Sequence, residues 1–175
     1  MRQVIMIGGI HGVGKSYLCK KLKDLHICGV YSASNLMRDY VGQKVDESKQ
    51  VKNIEENQNI LINAIDEYVK NERLIILDGH FCLMNQQKEI IEIPLDTFSK
   101  LNIKAIVVLI DDENNIIKRI SERDRINYSF DYIENFQRKE VEHAIKIAEK
   151  LKAEFLLFNI NDDIKKIVNL IQQIS

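Results

Sequence analysis

Residues Gly9-Ile10-His11-Gly12-Val13-Gly14-Lys15-Ser16 match the pattern G-x-x-x-x-G-K-[ST], and every part of that spacing serves phosphate binding. Glycines let the backbone turn so that successive N–H groups point inward at phosphate oxygens. Lys15 places a point charge at the β- and γ-phosphates, and Ser16 offers a hydroxyl to Mg²⁺. The helix that opens behind the loop, with Tyr17 next in line, adds its positive N-terminal end. The expected binding set is therefore Gly9, His11, Gly12, Val13, Gly14, Lys15, Ser16 and Tyr17. The competing reading is a glycine turn with an incidental lysine. Average composition makes a chance match in a chain this long about one in a hundred, and placement between an apolar strand and a helix makes it rarer. The dinucleotide fingerprint is not met, because Gly12-Val13-Gly14 runs on to Lys15-Ser16-Tyr17 without a third glycine.

Asp78 ends the aliphatic run Leu74-Ile75-Ile76-Leu77. A carboxylate at a strand tip near such a loop can order Mg²⁺ or touch substrate. The plainer reading is an aspartate that begins a turn with Gly79. Arg119, Arg123 and Arg125 cluster within seven residues. Arg119 and Arg123 are four apart and share a helix face; Arg125 joins them only if the helix ends near Asp124. Phosphoryl transfer spreads negative charge over equatorial oxygens, and arginines neutralise it. The alternative is a solvated face paired with Glu122 and Asp124. Arg138, one helix later, is a further substrate-binding candidate, and His80 is expected beside the substrate. His11 reads as a loop residue, and His26 and His143 as structural.

These residues need elements to position them. Val4-Ile5-Met6-Ile7 reads as a buried strand. Helical spacing follows from Tyr17 to Leu25, and a second strand is expected near Cys28–Ser32. Ser34 is placed as the cap of a helix running to about Val41, and Val51–Asn71 keeps helical spacing. Leu74–Leu77 is a strand, Phe81–Met84 and Ile90–Ile93 form a hairpin, and Ala105–Ile110 is another strand ending at Asp111. Helices near Glu113–Arg123 and Phe130–Lys152 follow, the second capped by Ser129. Phe130, Tyr132 and Phe136 read as helix packing. Phe155–Phe158 is the last strand, before a closing amphipathic helix. Strands alternating with helices indicate an α/β fold with a mostly parallel sheet, whose ligands bind beyond the carboxyl ends of the strands.

The 175 residues suit one domain and are too few for two ordinary ones. With 45% apolar residues, 29% charged residues and a net charge of −1, the chain has the make-up of a folded globular protein rather than a disordered one. The balance of 25 basic against 26 acidic residues excludes a generic basic nucleic-acid binder. No apolar run approaches a membrane span, and Met1–Ile7 is too short for a signal peptide. Cys19, Cys28 and Cys82 make no Cys-x-x-Cys pair; they read as plain buried thiols of a cytoplasmic protein.

Together these motifs resemble the nucleoside monophosphate kinases of the P-loop kinases, and most closely the archaeal type of adenylate kinase. The resemblance runs through nearly the whole chain. It rests on Gly9–Ser16, on Asp78-Gly79-His80 with the hairpin and Ile93-Pro94 after it, and on Arg119–Arg125. It implies an α/β three-layer sandwich, its five-stranded parallel sheet in the order 2-3-1-4-5, forming one domain over 1–175. An acceptor-binding segment would lie near 33–70 and a short lid near 119–128. It implies Mg²⁺-dependent transfer of the γ-phosphoryl of ATP to a nucleoside monophosphate, without a covalent intermediate. Lys15 and the arginines would be catalytic, Ser16 and Asp78 would hold Mg²⁺, and Arg38 in Leu36-Met37-Arg38 would hold the acceptor phosphate. Taken by itself, Arg38 reads as an exposed helix residue. Asn159-Ile160-Asn161 would meet the adenine of ATP. The chain departs from the common bacterial adenylate kinases in lacking the Asp-Gly-Phe-Pro-Arg run, the long lid and its zinc-binding cysteines. That departure leaves open another small phosphorylatable metabolite as acceptor, and a regulatory protein that hydrolyses ATP slowly.

Overall fold

A computed structural model describes residues 2–44 and 54–175. Its centre is a parallel sheet of five strands: β1 (Gln3–Gly8), β2 (Gly29–Ser32), β3 (Leu74–Asp78), β6 (Ile103–Ile110) and β7 (Glu154–Asn159). They lie in the order β2-β3-β1-β6-β7. Counted among sheet strands alone this is 2-3-1-4-5; the numbering shifts because β4 (Cys82–Met84) and β5 (Ile90–Glu92) form a separate antiparallel hairpin.

Both faces of the sheet are covered, which is why its strands read as continuous apolar runs rather than alternating ones. Period-two geometry still divides them. Ile5, Ile7, Ile76, Val107 and Leu109 face one cluster, with Leu18 and Leu22 of α1 (Lys15–Asp24), Ile116 and Ile120 of α5 (Glu113–Asp124), and Ile167 and Ile171 of α7 (Lys165–Ile174). Val4, Met6, Ile75, Leu77 and Val108 face the other, with Leu61 and Ile65 of α3 (Ile54–Tyr68), Phe98 of α4 (Leu95–Ser99), and Ala144 and Ile147 of α6 (Phe130–Leu151). Each fully buried Ile or Leu contributes about 1.5–3 kcal/mol, so this double core is what holds the strand tips still.

The register sets the site. Ile7 lies opposite Asp78, Ser32 opposite Asp78, Gly8 opposite Val108, and Ile110 opposite Asn159. The carboxyl ends of all five strands therefore share one edge. Two helices are fixed by side-chain caps: Asp112 accepts from Asn114 N at 2.9 Å to start α5, and Ser129 accepts from Tyr132 N at 3.3 Å to start α6. Three expectations shift. The helix α2 (Ala33–Lys44) begins before Ser34, so Ser34 sits in its first turn and is not its cap. The α3 helix ends at Tyr68, while 45–53, part of the expected acceptor segment, lie outside the described residues. Tyr132 packs edge-on against Phe136, but Phe130 is exposed and packs no core.

Candidate active site

The loop between β1 and α1 curls as its glycines predict. Gly9 has φ +140° and Gly12 φ +81°, conformations strained for any residue with a Cβ. Space is closed as well: a Cβ on Gly12 would stand 2.6 Å from Ile120 Cγ1, and one on Gly9 2.7 Å from the Leu109 carbonyl oxygen. Lys15 opens α1 almost fully buried, and its Nζ donates to Gly9 O at 2.6 Å. Burial lowers its pKa, while the negative fields of Asp78 and Glu140 raise it. Ser16 and Tyr17 are exposed at the start of the helix, with Lys21 over the Tyr17 ring.

Asp78 stands at the tip of β3 beside this loop, and Gly79 N donates to Ile7 O at 3.0 Å, which extends the β1–β3 pairing past it. Its Oδ1 is buried and meets no hydrogen-bond donor among the described residues. Burial raises the Asp78 pKa and Lys15 pulls it down. A buried carboxylate oxygen with no donor among the described residues suits a hard cation. No group of three or more metal-binding side chains occurs among the described residues. Ser16 and Asp78 would offer Mg²⁺ two oxygen ligands, a set that fits an ion able to complete its shell with phosphates and water.

The arginines divide. Arg119 points at the loop: Nη1 donates to Val13 O at 3.2 Å, Nε to Asn115 O at 3.1 Å, and Nη2 bonds Asp111 Oδ2. Asp111 is buried, its backbone N–H bonded to Gln137 Oε1 and its carbonyl to Gln137 Nε2. Arg123 reaches the other end of the loop. It grips Asp124 through Nε at 2.8 Å and Nη2 at 2.7 Å, and Nη2 also contacts His11 Nε2. The same Nε2 lies 3.2 Å from Asp124 Oδ2; burial and then Arg123 lower the His11 pKa, and the hydrogen bond with Asp124 opposes them. Arg123 in turn holds the Asp124 carboxyl down at about 2. Arg125 ends α5 in the left-handed conformation, φ +57°, with its side chain exposed. The fold thus brings Lys15, Asp78, Arg119, Arg123 and His11 together. Arg138 instead pairs with Glu142 and Asn135 on its own helix, and Arg38 is 72% exposed against Asp39.

Sequence reasoning missed Glu140. It is 1% exposed, and its carboxylate accepts from Gly9 N at 2.9 Å, Phe81 N at 3.0 Å and Cys82 N at 2.6 Å. One side chain of α6 therefore staples the phosphate loop to the segment that follows Asp78. Burial raises its pKa, and the three N–H bonds and Lys15 oppose that. The signal in the sequence was a glutamate on the apolar stripe of α6, between Phe136 and Ala144. His80 lies in the stapled segment and is hydrogen-bonded to the Gly9 backbone; burial, then Lys15, push its pKa down to about 3. The cysteines are free, and burial pushes Cys19 and Cys82 up to about 12, which leaves them protonated and unreactive.

Beyond Asp78 opens a cavity of about 290 Å³. It runs from the β2–α2 junction to α4, with Met37, Leu61 and Phe98 among its apolar walls. Asp78 and His80 form its wall on the loop side. A smaller cavity of about 200 Å³ shares His80 and Leu83 and is walled by Tyr128 and Tyr132, whose rings stack at 5.2 Å.

Residues 8–137 match the family model described as an AAA domain. The chain belongs to the AAA domain family. The matched span carries the phosphate loop, Asp78 and all three clustered arginines of this AAA domain. No curated protein is similar to it in sequence. Among solved structures, TT1252 from Thermus thermophilus aligns over 99% of this chain and 96% of its own, at 12% identity and a TM-score of 0.55. A gluconokinase from Sinorhizobium meliloti 1021 aligns over 98% and 91% at 13% identity, with a TM-score of 0.49. An uncharacterized protein from Eubacterium ventriosum ATCC 27560 aligns over 99% and 98% at 15% identity, also with a TM-score of 0.49. The likeness of the AAA domain to TT1252 is one of fold: a parallel α/β sheet flanked by helices. No helix among its described residues is long and apolar enough to cross a membrane.

Proposed function

We propose that the protein is a phosphotransferase that moves the γ-phosphoryl group of ATP to a small molecule held in the cavity beyond Asp78. The observation that carries this reading is the shared wall. Asp78 and His80 line the cavity, and both feel the field of Lys15 at the base of the phosphate loop. A nucleotide on the loop and a molecule in the cavity would meet at that wall.

Lys15 and the loop amides hold the donor phosphates, and Arg119 and Arg123 neutralise the charge that spreads over the transferring group. The acceptor oxygen forms the new bond to phosphorus as the bond to the diphosphate breaks, and ADP leaves with that electron pair. Ser16 and Asp78 would hold Mg²⁺, whose chemistry there would be neutralisation of phosphate charge. To reach the phosphoryl group, the Arg123 side chain would exchange its contacts with Asp124 and His11 for the phosphate oxygens. The resemblance to nucleoside monophosphate kinases makes a nucleoside monophosphate one candidate acceptor. The exposed positions of Arg38 and Arg138 give such an acceptor little support.

The test is ADP release from Mg·ATP with and without a panel of nucleoside monophosphates and small hydroxylated metabolites. Stimulation well above background by a panel member is expected. ATP binding with no stimulation by any of them would point instead to a regulatory ATPase.

A further inference from the structure

We infer that the acceptor is a neutral alcohol with an apolar or aromatic body, and not a phosphate ester. This rests on the phosphotransferase reading and concerns the chemistry of the cavity alone.

The polar side chains of the cavity lining are hydroxyls, carboxylates and the His80 imidazole. Ser32, Ser34 and Thr97 contribute hydroxyls, and Asp78 and Glu92 are its charged residues. Among the described residues no lysine or arginine lines it. Glu92 is also engaged by Lys146 at 3.3 Å, outside the lining. Asp78 is different: no donor among the described residues reaches its buried Oδ1. A phosphate ester in this space would bring up to two negative charges against a lining whose charged residues are Asp78 and Glu92, with no lysine or arginine among the described lining residues to pair them.

The neighbouring groups agree. His80, on the wall between cavity and loop, is hydrogen-bonded to the Gly9 backbone. Arg38, the residue expected to grip an acceptor phosphate, follows the lining residue Met37 but lies outside the cavity, against Asp39. Successive helix residues point about 100° apart, so Met37 facing inward turns Arg38 away. Met37, Leu61 and Phe98 supply an apolar surface wide enough for a flat or branched body. The reaction is then ATP plus alcohol giving ADP, the alcohol's phosphate ester and a proton. The alcohol oxygen forms the new bond to phosphorus, the bond to the diphosphate breaks, and the hydroxyl proton passes to solvent.

The test pairs each neutral alcohol with its own phosphate ester, using ribo- and deoxynucleosides, aromatic alcohols and their monophosphates. The full chain and Mg·ATP are used throughout, with ATP affinity measured in parallel. At least one neutral member should stimulate ADP release about 10-fold or more over its phosphate ester. Met37→Arg, which puts a cation into the cavity wall, should lower kcat/KM for that alcohol about 10-fold or more while ATP affinity holds. A monophosphate that outperforms its parent alcohol overturns the inference and leaves the phosphotransferase reading standing. A panel flat for every member, with ATP bound, overturns both.

Discussion

The two sides of Asp78 are built by opposite means. On the loop side, nearly every polar group is tied: Lys15 to Gly9, Arg119 to Val13 and Asp111, Arg123 to Asp124, and Glu140 to three backbone N–H groups. On the cavity side the walls are mainly methionine, aliphatic and aromatic carbon. Phosphate recognition needs fixed donors at fixed distances, and such donors must be held by a network before the ligand arrives. An apolar chamber selects by shape and by the exclusion of charge, and its walls can differ in type as long as they fill space. The loop side therefore tells what is bound there, and the cavity side tells mostly what is kept out.

The comparison breaks first at Glu140, which belongs wholly to the tied side. Glu140→Leu strands three buried N–H groups, each of which costs about 1–3 kcal/mol when unpaired. We expect a loss of about 3–5 kcal/mol in unfolding free energy, measured by urea denaturation. Glu140→Gln keeps one acceptor oxygen and should lose less. A Glu140→Leu protein as stable as its parent would remove the staple from the account.

Next is Lys15. Lys15→Met should lower turnover about 10²-fold or more, equivalent to about 2.7 kcal/mol, the range found when one preorganised electrostatic donor is lost. The unfolding midpoint is read in parallel and should fall, because Lys15 offsets the buried Asp78 and Glu140 carboxylates. Steady-state turnover near the parent value would mean that the loop does not handle the transferring phosphoryl group.

How far the molecule could be read from its sequence follows the same division. The loop, β3 with Asp78, and the Arg119–Arg123 face were legible because their signals are local: a fixed spacing, an aliphatic run, a four-residue step. The five parallel strands were legible because burial on both faces leaves unbroken apolar stretches. Glu140 and Gln137 were not, since their partners Gly9 and Asp111 lie 131 and 26 residues away. The short helix α4 gave only five residues of pattern, too few for a period to show. Arg38 is exposed, as it reads taken by itself, and its role at an acceptor phosphate rests on the family resemblance alone. The cavity itself has no sequence signature, as its walls come from β2, β3, α2, α3, the hairpin and α4.

His80 sits on the boundary and sharpens the comparison through pH. Its folded pKa of about 3 lies below the unfolded value near 6.5. Its contribution to stability is thus fully present above about pH 6.5 and is lost as pH falls toward 3, because the unfolded chain takes a proton that the native site refuses. The slope reaches about 1.4 kcal/mol per pH unit. Asp78 and Glu140, whose pKa values are raised, act the other way, their contributions falling as pH rises above their unfolded values. His80→Asn isolates the histidine. Between pH 6.5 and 4 the parent should lose more unfolding free energy than the variant, and equal losses would mean that His80 titrates normally in the folded state.

The smallest effect separates the two acceptor chemistries most cleanly. Arg38 and Arg138 are exposed and pair with Asp39 and with Glu142, and exposed pairs of this kind contribute about 0–1 kcal/mol. If the cavity takes a neutral alcohol, neither guanidinium has a charge to meet there. Arg38→Ala and Arg138→Ala should then each leave kcat/KM within about 2-fold, with no change in its salt dependence, since no screened charge pair is lost. A drop of about 10-fold or more in Arg38→Ala that fades at high salt would show α2 turning its arginine onto an anionic acceptor. In that case the cavity side would be tied as tightly as the loop side, only later, after the ligand has entered.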